Sequence, residues 1–184
     1  MRVVHLVIVV CWAAFWTYWL VAARNAKVRQ GPARWGGLAG ARAALLVVIV
    51  YLVQGLGFRS HLAEAGPVLV GTGLALFAMG LALAIWARLY IGRNWGMPMT
   101  RKQEPELVTS GPYQRVRHPI YSGIILAMLG TALATTLYGL IAVAVLAAYF
   151  IFSATREEAY LAEQFPDTFP AYKHATKMLI PFLI

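Results

Sequence analysis

From Pro119 to Thr155 the chain runs without a single Asp, Glu, Lys or Arg. As one helix, at 1.5 Å per residue, that run would be about 54 Å long, against a bilayer hydrocarbon core of about 30 Å. Within lipid the backbone must pair its own polar groups, so the run crosses as helix, and it must cross twice. The turn is placed within Thr131–Gly139, where Thr135, Thr136 and Gly139 interrupt a Leu/Ala/Val background and leave two short helices. Three further uncharged blocks precede it, Val3–Val21, Ala43–Phe58 and Ala65–Ala87. The expected fold class is therefore all-α: a polytopic membrane protein with five transmembrane helices.

Composition agrees, with 60% hydrophobic and 12% charged residues, where a soluble domain carries about 25% charged. Val3–Val21 follows Met1 and Arg2 as a secretory signal would. It is too long, ends in Trp and Tyr, and lacks a small-residue cleavage site, so it reads as a retained span. The single cysteine, Cys11, sits in this run and excludes a disulfide or a thiolate metal cluster within the chain.

Charge supplies an independent check. If the first loop is cytoplasmic, that side receives Arg24, Lys27, Arg29, Arg34 and Arg42, then Arg88, Arg93, Arg101, Lys102, Arg115 and Arg117, then Arg156, Lys173 and Lys177, leaving Arg2 and Arg59 outside. Fourteen against two is a strong positive-inside bias, and it was not used to count spans. The expected placement is an integral, multi-pass protein of a bacterial or archaeal inner membrane, N-terminus outside and C-terminus cytoplasmic. The same bias accounts for the net charge of +9 without nucleic acid, because the basic residues lie between apolar blocks. A transporter is disfavoured: the spans hold almost no ionisable residue, and no inverted halves are visible.

This topology brings two polar segments to one side, the loop 88–118 and the tail 156–184, flanking one hairpin. Residues 1–87 then form an N-terminal region of three spans, and 88–184 the region that carries chemistry. Gly111-Pro112 reads as a turn, and Pro119 suits a first helical position, where its missing N–H is not needed. A helix starting there offers free backbone donors to an anion such as a carboxylate. Gly123, Ala127 and Gly130 put small residues on one face, which in lipid means close helix packing more often than ligand contact.

In the tail, Leu161 and Phe165 at i, i+4 point to a helix lying against the membrane or the protein. The adjacent acids Glu157 and Glu158 stand where a span leaves the bilayer; they are either solvated helix-start acids or groups with a specific partner. His118 has no second His, Cys or carboxylate at ligand spacing, so no metal site is expected.

Taken together, Gly92-Arg93-Asn94-Trp95, Leu107-Val108-Thr109-x-Gly111-Pro112-Tyr113, Arg117-His118-Pro119-x-Tyr121-x-Gly123 and Glu157-Glu158-x-x-Leu161-x-x-x-Phe165, with Tyr172 and Pro181, resemble the integral-membrane methyltransferase family that includes isoprenylcysteine carboxyl methyltransferase and the phospholipid N-methyltransferases. The resemblance covers about the C-terminal half. It departs where the family commonly has Gly and then Tyr after the last Phe, here Pro166 and Phe169.

The resemblance implies S-adenosyl-L-methionine as cofactor, with S-adenosyl-L-homocysteine as product, in a cytoplasmic pocket formed by the 88–118 loop and the tail. The implied cofactor-binding residues are Leu107, Val108, Gly111, Tyr113, Val116, Arg117, His118, Pro119, Tyr121 and Gly123, closed over by Glu157 and Glu158. Either glutamate would meet the cofactor's amino group or its sulfonium side. Arg156 or Arg117 would orient a carboxylate acceptor, and Glu158 or His118 would serve as base for an amine. The implied acceptor is a lipophilic molecule dissolved among membrane lipids. Carboxyl methylation of an isoprenylcysteine-like substrate is the first expectation, a phospholipid amine the second and a non-catalytic relative the third.

Overall fold

The computed structural model describes residues 2–23, 66–95 and 106–180. Among these the chain is helical: α1 (Arg2–Ala23), α2 (Pro67–Ile91), α3 (Pro119–Thr135), α4 (Gly139–Gln164) and α5 (Phe169–Ala175), with 3-10 turns at Gly92–Asn94 and Gly111–Gln114. Helices α1, α2 and α4 are each long and apolar enough to cross a membrane, and α3 is a shorter apolar helix. The expected span 43–58 lies outside the described residues. Pro67 and Pro119 stand at the first positions of α2 and α3, where fixed φ and a missing donor do no harm.

The 119–155 block does divide, at Thr136–Tyr138. The N–H of Thr136 closes α3 on Ala132 O (3.0 Å), and the N–H of Gly139 turns back to Thr136 O (2.9 Å). The second half corrects the expectation of a short helix followed by a separate tail helix. α4 continues unbroken through Arg156, Glu157 and Glu158 to Gln164. The physical reason is composition: Ala, Leu, Glu and Gln carry the helix on, and no Gly or Pro interrupts it until Pro166. The change at Thr155 is one of polarity, not of backbone.

Helices α2 and α3 pack antiparallel at the distance of backbone contact. A Cβ on Gly80 would lie 2.6 Å from Gly123 O, one on Gly123 2.7 Å from Gly80 O, and one on Gly73 2.7 Å from Gly130 O. Only glycine permits this approach, which in lipid supplies the dispersion contact that replaces a hydrophobic driving force. Helix α1 joins through the indole of Trp12, which donates to Thr131 Oγ1 of α3 (3.1 Å). Arg88 ties two helix ends together, donating to Gly92 O (2.8 Å) and Ala22 O (2.7 Å), with its guanidinium 4.6 Å from the Trp95 ring. A cation suits this place because helix C-termini present unpaired carbonyls and partial negative charge. The C-terminal ends of α1, α2 and α4 and the start of α3 thus share one end of the helix cluster, where the polar segments meet.

Candidate functional site

The segment before α3 is built from the turn upward. Gly111 has φ +58°, and a Cβ there would lie 2.6 Å from the Tyr90 ring, so the turn needs glycine. It delivers Tyr113 into the core, its hydroxyl donating to Ala87 O (3.3 Å). Tyr172 of α5 in turn donates to Tyr113 O (2.7 Å). Burial pushes the Tyr172 hydroxyl up to about 12, against a partial pull from Arg117, and raises Tyr113 as well, so both remain donors at neutral pH.

The tail then folds back along residues 115–118. Val116 pairs in parallel with Lys177. The N–H of Arg117 donates to Lys177 O (2.8 Å), that of His118 to Met178 O (3.1 Å), and the hydroxyl of Ser122 to Leu179 O (2.5 Å). His118, the residue before Pro119, is buried under this arrangement.

Against it stands the end of α4. The Tyr121 hydroxyl donates to Glu157 Oε1 (2.6 Å). The His118 ring lies between the two acids, Nδ1 3.6 Å from Glu157 Oε2 and Nε2 3.5 Å from Glu158 Oε1. His118, Tyr121 and Phe150 stack, with ring centroids 5.4 Å and 4.4 Å apart and planes within 4° and 13°. Glu158 accepts from Arg117 Nε (2.6 Å) and pairs with Lys173 Nζ (2.9 Å).

Of the residues singled out by sequence, His118, Pro119, Tyr121, Arg117, Glu157 and Glu158 come together. Tyr113 and Val116 lie directly behind them, and Val108 packs on the same core. Leu107 is half-buried at the start of the described loop. Gly123 faces α2, where its close contact with Gly80 makes it a packing residue. Arg156 lies apart: it is exposed, with its guanidinium 5.5 Å from the Phe152 ring. Successive residues of one helix diverge by about 100°, so Arg156 does not share the directions of Glu157 and Glu158. Nor is Arg117 free to clamp an acceptor. Its Nε holds Glu158, and its Nη1 donates to Lys173 O (3.1 Å) and Thr176 O (2.5 Å). Lys173 and Thr176 were not identified from sequence, because no motif spacing links them to Arg117.

Among the described residues, the buried hydroxyls Ser153 Oγ and Tyr149 Oη near this constellation lack a hydrogen-bond partner, and His118 Nε2 has only its 3.5 Å approach to Glu158 Oε1. Tyr149, Ser153 and Glu157 follow at i, i+4, i+8 and so share a face of α4. Buried polar groups are normally satisfied. A ligand with both hydrogen-bonding and cationic parts, such as S-adenosyl-L-methionine, fits this donor and acid set.

Residues 68–168 match the phospholipid methyltransferase family, a stretch running from α2 through α4 and more than half of the chain. The chain belongs to the phospholipid methyltransferase family. It is 32% identical over 142 residues to the cobalt-zinc-cadmium resistance protein CzcN of Cupriavidus metallidurans, covering 74% of this chain and 62% of that protein. It is 31% identical over 120 residues to the protein-S-isoprenylcysteine O-methyltransferase of Schizosaccharomyces pombe, covering 61% of this chain and 49% of that protein. With protein-S-isoprenylcysteine O-methyltransferase B of Arabidopsis thaliana it shares 29% identity over 115 residues, 60% of this chain and 58% of that one. The chain thus spans between half and two thirds of the length of these relatives. His118, Tyr121, Glu157 and Glu158 lie inside the stretch matched to the phospholipid methyltransferase family, whereas Lys173 and the strand-like tail lie beyond it.

Proposed function

We propose that this chain is a membrane enzyme that transfers the methyl group of S-adenosyl-L-methionine to a lipid-like acceptor. The observation that carries the reading is the cluster of buried His118, Tyr121 and Glu158 with half-buried Glu157 at the shared polar end of the helices, within a chain of this family. Positive-inside bias supports a cytoplasmic placement of that end, with the cofactor arriving from water and the acceptor from the bilayer.

The cofactor supplies an electrophilic methyl group on a sulfonium. With a carboxylate acceptor, its oxygen would take the methyl group as the carbon–sulfur bond breaks, the electron pair staying on sulfur. Two opposite charges vanish and no proton moves. The residues then have little to do beyond binding, orienting and keeping water out, all of which a site between apolar helices favours. Glu157, held by Tyr121, would hold the cofactor's amino group, and His118 would supply a hydrogen-bonding nitrogen beside it.

The acceptor read first is the carboxyl group of a prenylated cysteine or similar molecule, supported by the two isoprenylcysteine O-methyltransferases among the relatives. A phospholipid amine is the second reading, supported by the family's own description; His118 would then take the released proton. Transfer of labelled methyl into a lipid extract, followed by mild base, separates them. Volatile methanol is the expected product, from a carboxyl ester; label that stays with the lipid would replace that acceptor with an amine, and no labelled lipid at all would contradict the enzyme reading.

A further inference from the structure

Glu157 and Glu158 are neighbours in sequence but are held differently. The Glu157 side chain is 26% exposed and that of Glu158 3%. Each carboxylate oxygen of Glu158 is engaged by a cation of the chain itself, Oε1 by Arg117 Nε at 2.6 Å and Oε2 by Lys173 Nζ at 2.9 Å. These groups come from three places: just before α3, near the end of α4, and α5.

Both cations also belong to the hold on the tail. Lys173 is part of it, and Arg117 reaches the carbonyls of Lys173 and Thr176. A cavity of about 310 Å³ separates α4 from α5 beside this pair, lined by Thr155, Ala159, Ala162 and Phe169 together with Glu158 and Lys173. At this level the two helices meet across a gap, and the ion pair bridges it. The residues that follow at once, Lys177 to Leu179, are those that cover His118.

We infer that Lys173 is a positioning residue of the cofactor site: with Arg117 it clasps Glu158, fixes the tail over His118, and thereby sets how long a bound cofactor stays. This rests on the cofactor reading given above. Glu158 acts through the clasp, and the ligand-facing acid of the pair is Glu157. A half-exposed lysine on a buried carboxylate is worth more than a surface pair, because the acid has no water to fall back on.

The test uses the full chain in detergent and two measurements. In the first, S-adenosylhomocysteine dissociation is followed for wild type, Lys173→Gln, Lys173→Arg, Glu158→Gln and the Lys173→Gln/Glu158→Gln double variant. Lys173→Gln is expected to release it about tenfold faster, the size of one lost charge-assisted hydrogen bond. Lys173→Arg restores the slow rate, and the double variant is no faster than Glu158→Gln alone. Added salt speeds release from wild type but not from Lys173→Gln.

In the second measurement, hydrogen exchange is read without ligand at the Arg117 and His118 amides, which donate to the tail. Exchange there is expected to rise about tenfold in Lys173→Gln and to recover in Lys173→Arg. Unchanged exchange overturns the clasp, and so do an Arg variant as fast as the Gln one or effects that simply add. If wild type binds no S-adenosylhomocysteine while exchange responds as expected, the clasp stands and the cofactor reading falls.

Discussion

Tyr121 joins the two halves of the site, its ring stacked between His118 and Phe150 and its hydroxyl on Glu157. Tyr121→Phe keeps the stack and removes one hydrogen bond to a carboxylate, so S-adenosylhomocysteine affinity is expected to fall about tenfold with little change in melting temperature. Tyr172 gives a test against pH. Its hydroxyl is raised to about 12 in the folded chain, against about 10 for an unperturbed tyrosine. Between these values the unfolded chain has lost a proton that the folded chain keeps, so stability present below pH 10 is lost as pH rises toward 12. Melting temperature should therefore fall more steeply above pH 10 in wild type than in Tyr172→Phe. His118, Tyr121 and the two glutamates stand out in the sequence because each belongs to a short motif string, Arg117-His118-Pro119-x-Tyr121-x-Gly123 or Glu157-Glu158-x-x-Leu161. Lys173 does not, because its partners reach it only when the tail folds back. Arg156 is exposed and points toward Phe152, a direction that adjacency to Glu157 in sequence does not disclose.

Helices α2 and α3 depend on Gly80 and Gly123 facing each other across backbone contact. Gly80→Leu must push the pair apart and is expected to destabilise the protein by about 3 kcal/mol, read as loss of melting temperature in detergent. An unchanged melting curve would mean that the helices are not packed this closely. This interface was visible in the spacing of Gly123, Ala127 and Gly130, since small residues in lipid point to a neighbouring helix. The course of α4 was not visible, because a sharp change in polarity at Thr155 was read as a break in the backbone. Continuity has a consequence for the site: one Ala inserted after Thr155 should rotate Glu157 and Glu158 by about 100° away from His118 and Arg117. Cofactor affinity should then drop about a hundredfold or more, the scale on which misplacement of binding groups acts. A flexible joint at Thr155 would absorb the insertion and leave affinity intact.

For the molecule as a whole, the ends of α1, α2 and α4 and the start of α3 bring residues 106–118 and the tail to one end of the described helices. What span count and charge asymmetry could not supply is how the tail lies, because Pro166 and Pro170 break its pattern and its hold is made of single hydrogen bonds and one ion pair. The helices thus serve as the scaffold on which residues 115–118, the end of α4 and the tail meet. Titration of the purified chain with S-adenosylhomocysteine in several mild detergents tests the cofactor reading most directly. The expected result is saturable binding with a dissociation constant on the order of micromolar, weakened at least about tenfold by Glu157→Gln. A flat trace in every detergent, from protein that is folded by its melting curve, would contradict it.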